Sequence, residues 1–466
     1  MLRPACPTLQ LGPRRLFWFP SQPNLRENES ALHAHMTVKT RILLLLTSVW
    51  FIAAAALATR VAFILNQQRK IPQQILATVP FEQETGNIAF ALSQGKGFGH
   101  LFRQNTGPTA WLPPVYPFLL SLIFRIFGAF TISSFLAAVL LNALFSAAAA
   151  FPLYCLSRQV AGRTAAVAAA WMWVLLPAAI VMPFEWIWDT SLSVLLATTL
   201  LWMTLHISSS ASPKHWLAYG LLWAIALLTN PSLGIALPFF VIRAALRVRN
   251  LVQLSWRVPA ITFALILLCC LPWTIRNYSA FHRFIPIRSS LPFELWIGNN
   301  DIFDPHAVNG IQRITRFEET RHYAQLGENA YLTEKWARAA NFIRQKPALF
   351  LHLTGRRIIA TWIGTEHPFS DFLHANSFLI RTILLCNFLL TLGTAAGALL
   401  VARSKNPFAA PLVVFPTFYP LVYYVTHTSL RYRHPIDPIL ILLTVVAIAA
   451  SCSKKYRTAL AISHAS

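Results

Sequence analysis

Acidic residues are scarce in this chain, which has 16 Asp and Glu against 39 Lys and Arg. Charged residues of both signs make up 12% of the sequence, whereas 56% of it is hydrophobic. A soluble domain carries about 25% charged residues, so this composition excludes an ordinary soluble protein. The apolar runs approach twenty residues, the length that an α-helix needs to cross a bilayer. They are continuous rather than alternating, which argues against a transmembrane β-barrel and predicts an all-α polytopic membrane protein.

Cysteine is also rare, and its positions restrict the chemistry of the protein. No cysteines have the short spacing of a zinc site, and none lies in the long hydrophilic loops. This distribution argues against a disulfide framework and against a cysteine-based metal site. The six cysteines are Cys6, Cys155, Cys269, Cys270, Cys386 and Cys452.

The net charge of +23 would indicate a nucleic-acid partner in a soluble protein. Here the basic residues lie mostly in short connections between apolar runs, where they orient the chain in the membrane. We therefore expect no nucleic acid as partner. Membrane lipids with anionic headgroups, or a lipid-linked phosphate, fit the charge better.

Ten membrane spans give the best agreement with the positive-inside rule. Residues 115–127 are apolar but short and follow two prolines, so we interpret them as a juxtamembrane or re-entrant helix outside this count. Both termini are then cytoplasmic, and the connections around 66–129, Asp189, Asn230, 274–377 and 427–435 lie outside. The predicted spans are 42–65, 130–156, 163–182, 189–207, 214–229, 231–248, 257–273, 378–402, 408–426 and 436–452.

The chain divides into four predicted parts. Residues 1–35 form a polar, disordered extension, and Met36 has the features of the true start. A first membrane module, 36–273, contains the outer loop 66–129. An extracytoplasmic subdomain, 274–377, precedes a second membrane module and short tail, 378–466. Within the subdomain, an amphipathic helix is expected near Asn329–Arg344, with Trp336, Ala337, Ala340 and Ile343 on one side.

Two carboxylates of the first outer loop, Glu82 and Glu84, are the first candidates for chemistry. Glu84 opens an apolar pattern that predicts a short helix ended by Gly95 and Gly97. A carboxylate fixed near the membrane surface has the properties of a general base for an acceptor hydroxyl. A solvated interfacial loop is the alternative.

The second outer connection offers further acidic and aromatic groups. Asp189 is either the N-cap of the next helix or a second carboxylate of the same site. Trp186 and Trp188 are either interfacial anchors or stacking surfaces for sugar rings. The rigid segment from Gly107 to Pro114, with Trp111 at its centre, is either a packed turn or a wall of a ligand cleft.

Four arginines are predicted to lie near the outer membrane surface: Arg276, Arg288, Arg431 and Arg433. Guanidinium groups bind phosphate oxygens through paired hydrogen bonds, so these residues form a candidate phosphate site. The alternative is attraction to lipid headgroups without turnover. The arginines of the short connection 427–435 break the positive-inside rule, and such charges are more often functional than incidental.

Together these segments resemble the polytopic glycosyltransferases of the GT-C superfamily. They are closest to the bacterial branch akin to the dolichyl-phosphate-mannose protein mannosyltransferases and the aminoarabinose transferases. The resemblance rests on the acidic loop Phe81–Glu84 and the segments 95–98, 107–117, 272–277, 294–299 and 431–438, and it covers about 42–452. This chain has Glu-Gln-Glu where the family often has Asp-Glu.

The resemblance implies a sugar transfer from a polyprenyl-phosphate carrier to a glycan, lipid or protein acceptor. The reaction would take place outside a bacterial inner membrane. It implies Glu84 as the essential acidic residue, with Glu82 in reserve and Asp189 or Glu185 as the second acidic position. Arg276, Arg288, Arg431, Arg433, Tyr432, Trp111 and Tyr116 are the further expected substrate-binding residues. A divalent metal, Mg²⁺ or Mn²⁺, is left open as cofactor, with no ligands assigned.

We expect an inverting transferase with one direct displacement at the anomeric carbon. The first rival function is a flippase of lipid-linked saccharides, which predicts polar residues deep in the spans and two related halves. The spans carry few charges and no half repeat is evident. The second rival, a membrane scaffold, predicts no clustering of arginine and carboxylate at one membrane face.

Overall fold

The computed structural model describes residues 38–102, 105–207, 213–252, 257–300, 316–365, 371–373, 375, 377–404 and 408–452. Within these ranges the regular structure is helical, apart from an isolated bridge between Gly99 and Pro108. The predicted all-α class is therefore confirmed. The predicted extension 1–35 lies outside the described residues, as does most of the predicted C-terminal tail.

Twenty α-helices are found in the described residues: Val38–Thr47, Val49–Gln68, Gln73–Thr78, Glu84–Ser93, Val115–Phe127, Ile132–Ala148, Ala150–Leu175, Pro177–Glu185, Thr190–Ile207, Pro213–Thr229, Leu237–Val252, Arg257–Phe281, Leu291–Gly298, Arg316–Gln345, Pro347–Ile363, Phe378–Arg403, Ala409–Phe418, Leu421–Val425, Leu430–Arg433 and Asp437–Cys452. Short 3₁₀ helices cover Val79–Phe81, Pro231–Ala236 and His434–Ile436. The chain divides into two units, Met1–Thr47 and Ser48–Ser466. The first contributes helix Val38–Thr47, and the second contains all the others.

Six helical segments of the described residues are long and apolar enough to cross a membrane, and shorter apolar helices accompany them. The six are Val49–Gln68, Ile132–Leu175, Thr190–Ile207, Pro259–Phe281, Phe378–Arg403 and Leu430–Cys452. The protein is thus a multi-pass membrane protein. The predicted count of ten spans stays a prediction, as does the juxtamembrane character of helix Val115–Phe127.

Proline interrupts two of the predicted spans. The predicted span 163–182 breaks at Leu176, and Pro177 starts a new helix. The predicted span 408–426 is divided into Ala409–Phe418 and Leu421–Val425, with Pro420 in between. Proline has no N–H to donate to the preceding turn, so a carbonyl there needs another partner.

Arg60 supplies that partner at the Leu176 break. Its side chain is fully buried, and Nη2 donates to the Trp173 carbonyl at 3.0 Å. In an unbroken helix this carbonyl would accept the N–H of residue 177, which is proline. Nε of Arg60 also donates to Oγ of Ser146 at 3.0 Å. A buried charge therefore caps the C-terminal end of helix Ala150–Leu175, where the helix dipole favours a cation.

Helix Asp437–Cys452 ends the most enclosed of the six candidate spans, Leu430–Cys452. Leu430–Cys452 is 78% buried over its apolar window, against 28% for the neighbouring Phe378–Arg403. Gly393 and Gly397 bring these two helices together, because an added Cβ at Gly397 would overlap the Leu443 carbonyl. Small residues at a four-residue spacing are a common device for close helix contacts in membranes.

The segment 274–377 contains the predicted amphipathic helix, observed as Arg316–Gln345 with an interruption at Gly327. Its buried side carries Tyr331, Leu332, Lys335, Ala339 and Phe342. Trp336 and Ala337, on the side that the sequence singled out, are exposed. A buried lysine lies on the packed side because aromatic rings surround its ammonium group, a contact that hydrophobic periodicity does not reveal.

Candidate active site

A cavity of about 820 Å³ is formed where connections between the helices converge. Each of the five connections that charge placement assigned to the extracytoplasmic side contributes to its wall. The contributing segments are Gln83 and Glu84 with Phe102 and Trp111–Pro113, then Trp186 with Trp188–Thr190, Thr229–Ser232, residues of Arg288–Ile297, and residues of Thr426–Pro435. The five connections thus meet at one cavity, and the side of the membrane on which it lies stays a prediction.

Glu84 lies in the cavity wall at the first position of helix Glu84–Ser93. The predicted short helix is thus confirmed, and Gly95 and Gly97 follow it with φ of 72° and 80°. Gly86 lies so close to the Phe81 carbonyl that a Cβ would overlap it, which fixes the start of the helix. Glu82 precedes the helix and does not contribute to the wall.

Asp189 is a second carboxylate in the same wall. Its Oδ2 accepts a hydrogen bond from Oγ of Ser193 at 2.8 Å, and its carbonyl accepts the Ser193 N–H at 2.7 Å. Burial raises the pKa of Asp189 above its usual range. Glu185 is exposed and does not line the cavity. Of the two residues predicted for the second acidic position, the structure brings Asp189 together with Glu84.

Arg431 is enclosed by aromatic rings in the cavity wall. Its guanidinium carbon lies 4.4 Å from the ring centre of Trp186, 4.7 Å from that of Trp188 and 4.8 Å from that of Tyr432. Cation–π contacts of this kind hold a guanidinium in place without neutralising it. Trp186 and Trp188 thus position a charge, an arrangement that neither sequence interpretation included.

A chain of polar contacts joins Arg431 to Arg288 across the wall. Nη2 of Arg431 donates to the Tyr432 hydroxyl at 3.0 Å, and this hydroxyl lies 3.0 Å from Nε2 of His427. Nδ1 of His427 lies 3.3 Å from Oε2 of Glu294. Nη2 of Arg288 donates to Oε1 of Glu294 at 2.8 Å. Burial lowers the pKa of His427, outweighing the opposing effect of Glu294.

The predicted four-arginine cluster is only half realised. Arg288 and Arg431 line the cavity, whereas Arg276 and Arg433 do not. Among the described residues of the wall, the carboxylates outnumber the arginines: they are Glu84, Asp189, Glu294 and Glu319. The cavity wall is therefore not predominantly basic, although two of the four predicted arginines contribute to it.

Arg276 has a structural role in the loop between helices Glu84–Ser93 and Val115–Phe127. Nη1 donates to the Thr109 carbonyl at 2.6 Å and Nη2 donates to the Phe98 carbonyl. The guanidinium also lies over the rings of Phe98 and Trp273, at 5.4 and 5.1 Å. The Phe98 carbonyl also accepts the Thr109 N–H at 3.2 Å beside the isolated bridge. Arg276, from helix Arg257–Phe281, therefore reinforces the contact between the two sides of this loop.

Arg433 is fully buried in a network of its own. Nε donates to Oδ1 of Asp437 at 2.9 Å, Nη1 to the Trp362 carbonyl at 2.5 Å and Nη2 to Oδ1 of Asn387 at 2.6 Å. These contacts tie helix Asp437–Cys452 to its neighbours. In this structure Arg433 is a packing element behind the cavity rather than part of its wall.

Of the predicted aromatic residues, Trp111 and Tyr432 line the cavity and Tyr116 does not. The Tyr116 hydroxyl donates to Oδ1 of Asn142 at 2.9 Å. Nδ2 of Asn142 in turn donates to the Trp186 carbonyl at 2.9 Å. Through Asn142, Tyr116 therefore stabilises the backbone at Trp186 without reaching the cavity itself.

Two carboxylates and one histidine of the wall were not predicted as site residues: Glu294, Glu319 and His427. Glu294 and His427 belong to segments that the sequence marked as unusual, so their place in the chain was a usable signal. Glu319 lies at the start of a polar helix, where a carboxylate is ordinary, and no sequence signal distinguishes it.

Metal binding was left open by the sequence. Among the described residues, no group of three or more His, Cys, Asp or Glu is arranged to hold a metal ion. A cage made of protein ligands alone therefore does not fit this part of the chain. A crystal structure of the Archaeoglobus fulgidus oligosaccharyltransferase contains Zn and sulfate, which is a property of that protein.

In a comparison with known protein families, residues 112–275 match the sequence model of the dolichyl-phosphate-mannose-protein mannosyltransferase family. The matched segment contains Asp189 and ends before Arg276. Glu84 and the four arginines predicted as a phosphate site therefore lie outside it. No curated protein matches the chain.

Solved structures of membrane glycosyltransferases resemble the chain at low identity. The apo oligosaccharyltransferase of Archaeoglobus fulgidus has a TM-score of 0.47 and 13% identity, over 88% of this chain and 51% of that chain. The same archaeon's AglB, in complex with an inhibitory peptide and a dolichol-phosphate, has a TM-score of 0.46 and 14% identity, over 82% of this chain and 49% of that chain. ArnT from Cupriavidus metallidurans in the apo state has a TM-score of 0.33 and 16% identity, over 84% of this chain and 78% of that chain.

This chain spans between 42% and 51% of the length of these archaeal structures. Over residues 112–275, the family match confirms the resemblance to the dolichyl-phosphate-mannose protein mannosyltransferases that the sequence predicted.

Proposed function

We propose that this protein is an inverting membrane glycosyltransferase that moves a sugar from a polyprenyl-phosphate carrier to an acceptor hydroxyl. The observation that carries the proposal is the shared cavity of Glu84, Arg288 and Arg431. Such a transfer requires a group that takes the acceptor proton and cations that stabilise the leaving phosphate. The family match over residues 112–275 supports the same class of reaction.

Glu84 is the general base of the proposed reaction. The acceptor oxygen attacks the anomeric carbon while the bond from that carbon to the phosphate oxygen breaks. The electron pair of this bond leaves with the phosphate, and the acceptor proton moves to the Glu84 carboxylate. A single displacement inverts the anomeric configuration. The fixed start of helix Glu84–Ser93 holds the carboxylate in one direction, as a base needs.

Arg431 and Arg288 stabilise the charge that grows on the leaving phosphate. Nη1 of Arg431 is buried and has no hydrogen-bond partner in the described part of the chain. An unpaired buried donor is costly, and a phosphate oxygen would satisfy it. Arg288 shares its charge with Glu294, so a bound phosphate would compete with that carboxylate for its donors.

The other predicted residues take supporting places in the proposal. Asp189 orients the acceptor and is the next candidate for the base, with Glu82 after it. Trp111 and Tyr432 shape the cavity wall. Arg276, Arg433, Tyr116 and Glu185 act from outside the cavity. No step of this mechanism is routed through a metal ion.

The proposed location is a bacterial inner membrane, with both termini in the cytoplasm and the cavity on the opposite side. This sidedness rests on the placement of basic residues in the remaining connections. The polyprenyl tail would lie among the apolar helices beside the cavity, in contact with membrane lipids.

Reconstitution in proteoliposomes tests the proposal against the flippase alternative. Each member of a panel of radiolabelled polyprenyl-phosphate sugars is supplied with mixed glycan, lipid and peptide acceptors. A transferase releases free polyprenyl phosphate and labels an acceptor. A flippase moves the labelled lipid between leaflets with its sugar bond intact, and that result would overturn the proposal.

A further inference from the structure

One part of the cavity wall is aromatic rather than charged. Ring centres of Trp111 and Phe293 lie 4.8 Å apart, those of Phe293 and Trp296 5.8 Å, and those of Phe293 and Tyr331 6.1 Å. All four residues line the cavity. Phe293 is half-buried and offers ring surface, while the other three are buried behind it. We refer to these four residues as the aromatic wall.

Glu319 lies at the edge of the aromatic wall and also lines the cavity. Its Oε2 accepts the Tyr331 hydroxyl at 2.6 Å and lies 2.7 Å from Nζ of Lys335. Both contacts use the same oxygen. The Glu319 side chain keeps 22% of its surface exposed, so a ligand in the cavity has access to the carboxylate.

Lys335 is the unusual member of this group, because its side chain is fully buried. Nζ lies 3.7 Å from the ring centre of Trp296 and 4.9 Å from that of Tyr331. An ammonium group is expensive to bury unless it is paired. Glu319 is its partner, so the pair presents a carboxylate oxygen to the cavity while adding no net charge.

We infer that the aromatic wall and Glu319 form the acceptor subsite of the proposed reaction, and that the subsite takes a neutral saccharide. The inference rests on the proposed transferase function. The half-buried ring of Phe293 presents an apolar face against which the C–H face of a sugar packs, and the three buried rings hold it in place. A carboxylate accepts hydrogen bonds from sugar hydroxyls. The charge balance with Lys335 removes the attraction that an ammonium-bearing acceptor would need.

The donor phosphate fits a different region of the same cavity, the one that carries positive charge. Arg288 and Arg431 supply cations, whereas the aromatic wall offers none to the cavity surface. Helix Leu291–Gly298 carries residues of both regions, with Glu294 bound to Arg288 and Phe293 and Trp296 in the aromatic wall. A two-substrate transfer needs two such neighbouring regions that share the general base.

Transfer kinetics with two acceptor pools test the inference. Proteoliposomes receive a radiolabelled polyprenyl-phosphate sugar and either a pool of neutral tri- to hexasaccharides or a pool of capped hexapeptides rich in Ser and Thr. We expect the saccharides to be labelled. In Glu319→Gln, the KM for the saccharide pool should rise at least about 10-fold, with the donor KM unchanged. Glu318→Gln, which changes the exposed neighbouring carboxylate, should behave as wild type.

Glu319→Gln leaves Lys335 buried without its carboxylate, so folding needs its own check. The double variant Glu319→Gln/Lys335→Met removes both charges and should show the same rise in acceptor KM. Labelling of peptides but not saccharides would overturn the inference, and so would an equal rise in both KM values. Thermal stabilisation by the donor without labelling of either pool would also overturn it while leaving the proposed function standing. A donor that neither stabilises the protein nor reacts would contradict the proposed function itself.

Discussion

Nη2 of Arg288 donates to Oε1 of Glu294 at 2.8 Å, and the other carboxylate oxygen of Glu294 lies 3.3 Å from Nδ1 of His427. One carboxylate thus holds the Arg288 side chain against the connection that precedes helix Asp437–Cys452. The position of Arg288 in the cavity is set by this contact. Its charge is partly balanced before any phosphate arrives.

Replacing Arg288 by Lys tests this arrangement. A single ammonium group cannot reproduce the fork of donors with which Arg288 serves both Glu294 and a phosphate oxygen. We expect the KM for the donor to rise about 10-fold or more, with a small change in thermal stability. Donor-dependent kinetics in proteoliposomes provide the measurement. Arg276→Lys is the matched control, since its contacts go to loop carbonyls, and it should leave the donor KM within about 2-fold of wild type.

Arg433 is expected to act through stability. Arg433→Met removes the guanidinium from the buried Asp437 carboxylate and leaves Nδ1 of His434, at 2.8 Å, as its ionisable partner. A cost of about 3–5 kcal/mol is typical for breaking a buried ion pair. The unfolding midpoint in detergent should fall accordingly. Arg433→Met/Asp437→Leu removes both charges and should recover part of the loss, since it leaves Nδ1 of the buried His434 without its acceptor. If Arg433→Met keeps the wild-type unfolding midpoint but loses donor binding, Arg433 belongs to the phosphate site and the structural role is wrong.

Arg60 offers a second test of buried polar contacts. Arg60→Met removes the donors to the Trp173 carbonyl and to Ser146. A buried acceptor left unpaired costs about 1–3 kcal/mol, so we expect a lower unfolding midpoint. Adding Pro177→Ala supplies an N–H at position 177, and part of the loss should return if the extended backbone at Leu176 becomes helical and directs that N–H to the Trp173 carbonyl. Equal midpoints for the single variant and wild type would contradict the capping role.

His427 should make stability depend on pH. Its folded-state pKa lies below the unfolded value of about 6.5 because burial disfavours the charged ring. Below that unfolded value the unfolded chain binds the proton more readily. The His427 contribution to stability is therefore present above about pH 6.5 and is lost as the pH falls toward the folded pKa.

Thermal unfolding of wild type and His427→Gln between about pH 5 and 8 measures this effect. The glutamine keeps a polar side chain but does not titrate. Its unfolding midpoint should fall less than that of wild type on the acidic side. Parallel curves over the whole range would show that His427 contributes nothing to the pH dependence.

Much of the fold followed from patterns that the sequence carries openly. Apolar runs predicted a polytopic helical protein, and the Glu84 helix with its terminal glycines appears where the pattern placed it. The breaks at Leu176 and near Pro420 were missed because apolar composition continues across them. Prolines within a run of apolar residues were the available signal.

The candidate site was predicted in part. Charge placement grouped the right connections, since segments far apart in the sequence meet in one cavity. It did not separate Arg431, which faces the cavity, from Arg433, which is buried two residues later. That difference depends on the helical direction of neighbouring side chains. Lys335 shows the same limit, because its burial depends on rings from another helix.

The central claim is that Glu84 takes the acceptor proton. The most direct measurement compares sugar transfer by wild type, Glu84→Gln and Glu82→Gln in proteoliposomes with the reactive polyprenyl-phosphate sugar. Both substitutions keep the side-chain size and remove one charge, but only Glu84 lines the cavity. We predict a loss of about 100-fold or more in kcat for Glu84→Gln and near-normal turnover for Glu82→Gln. Near-normal turnover of Glu84→Gln in a folded sample would contradict the account and move the base to Asp189 or Glu82.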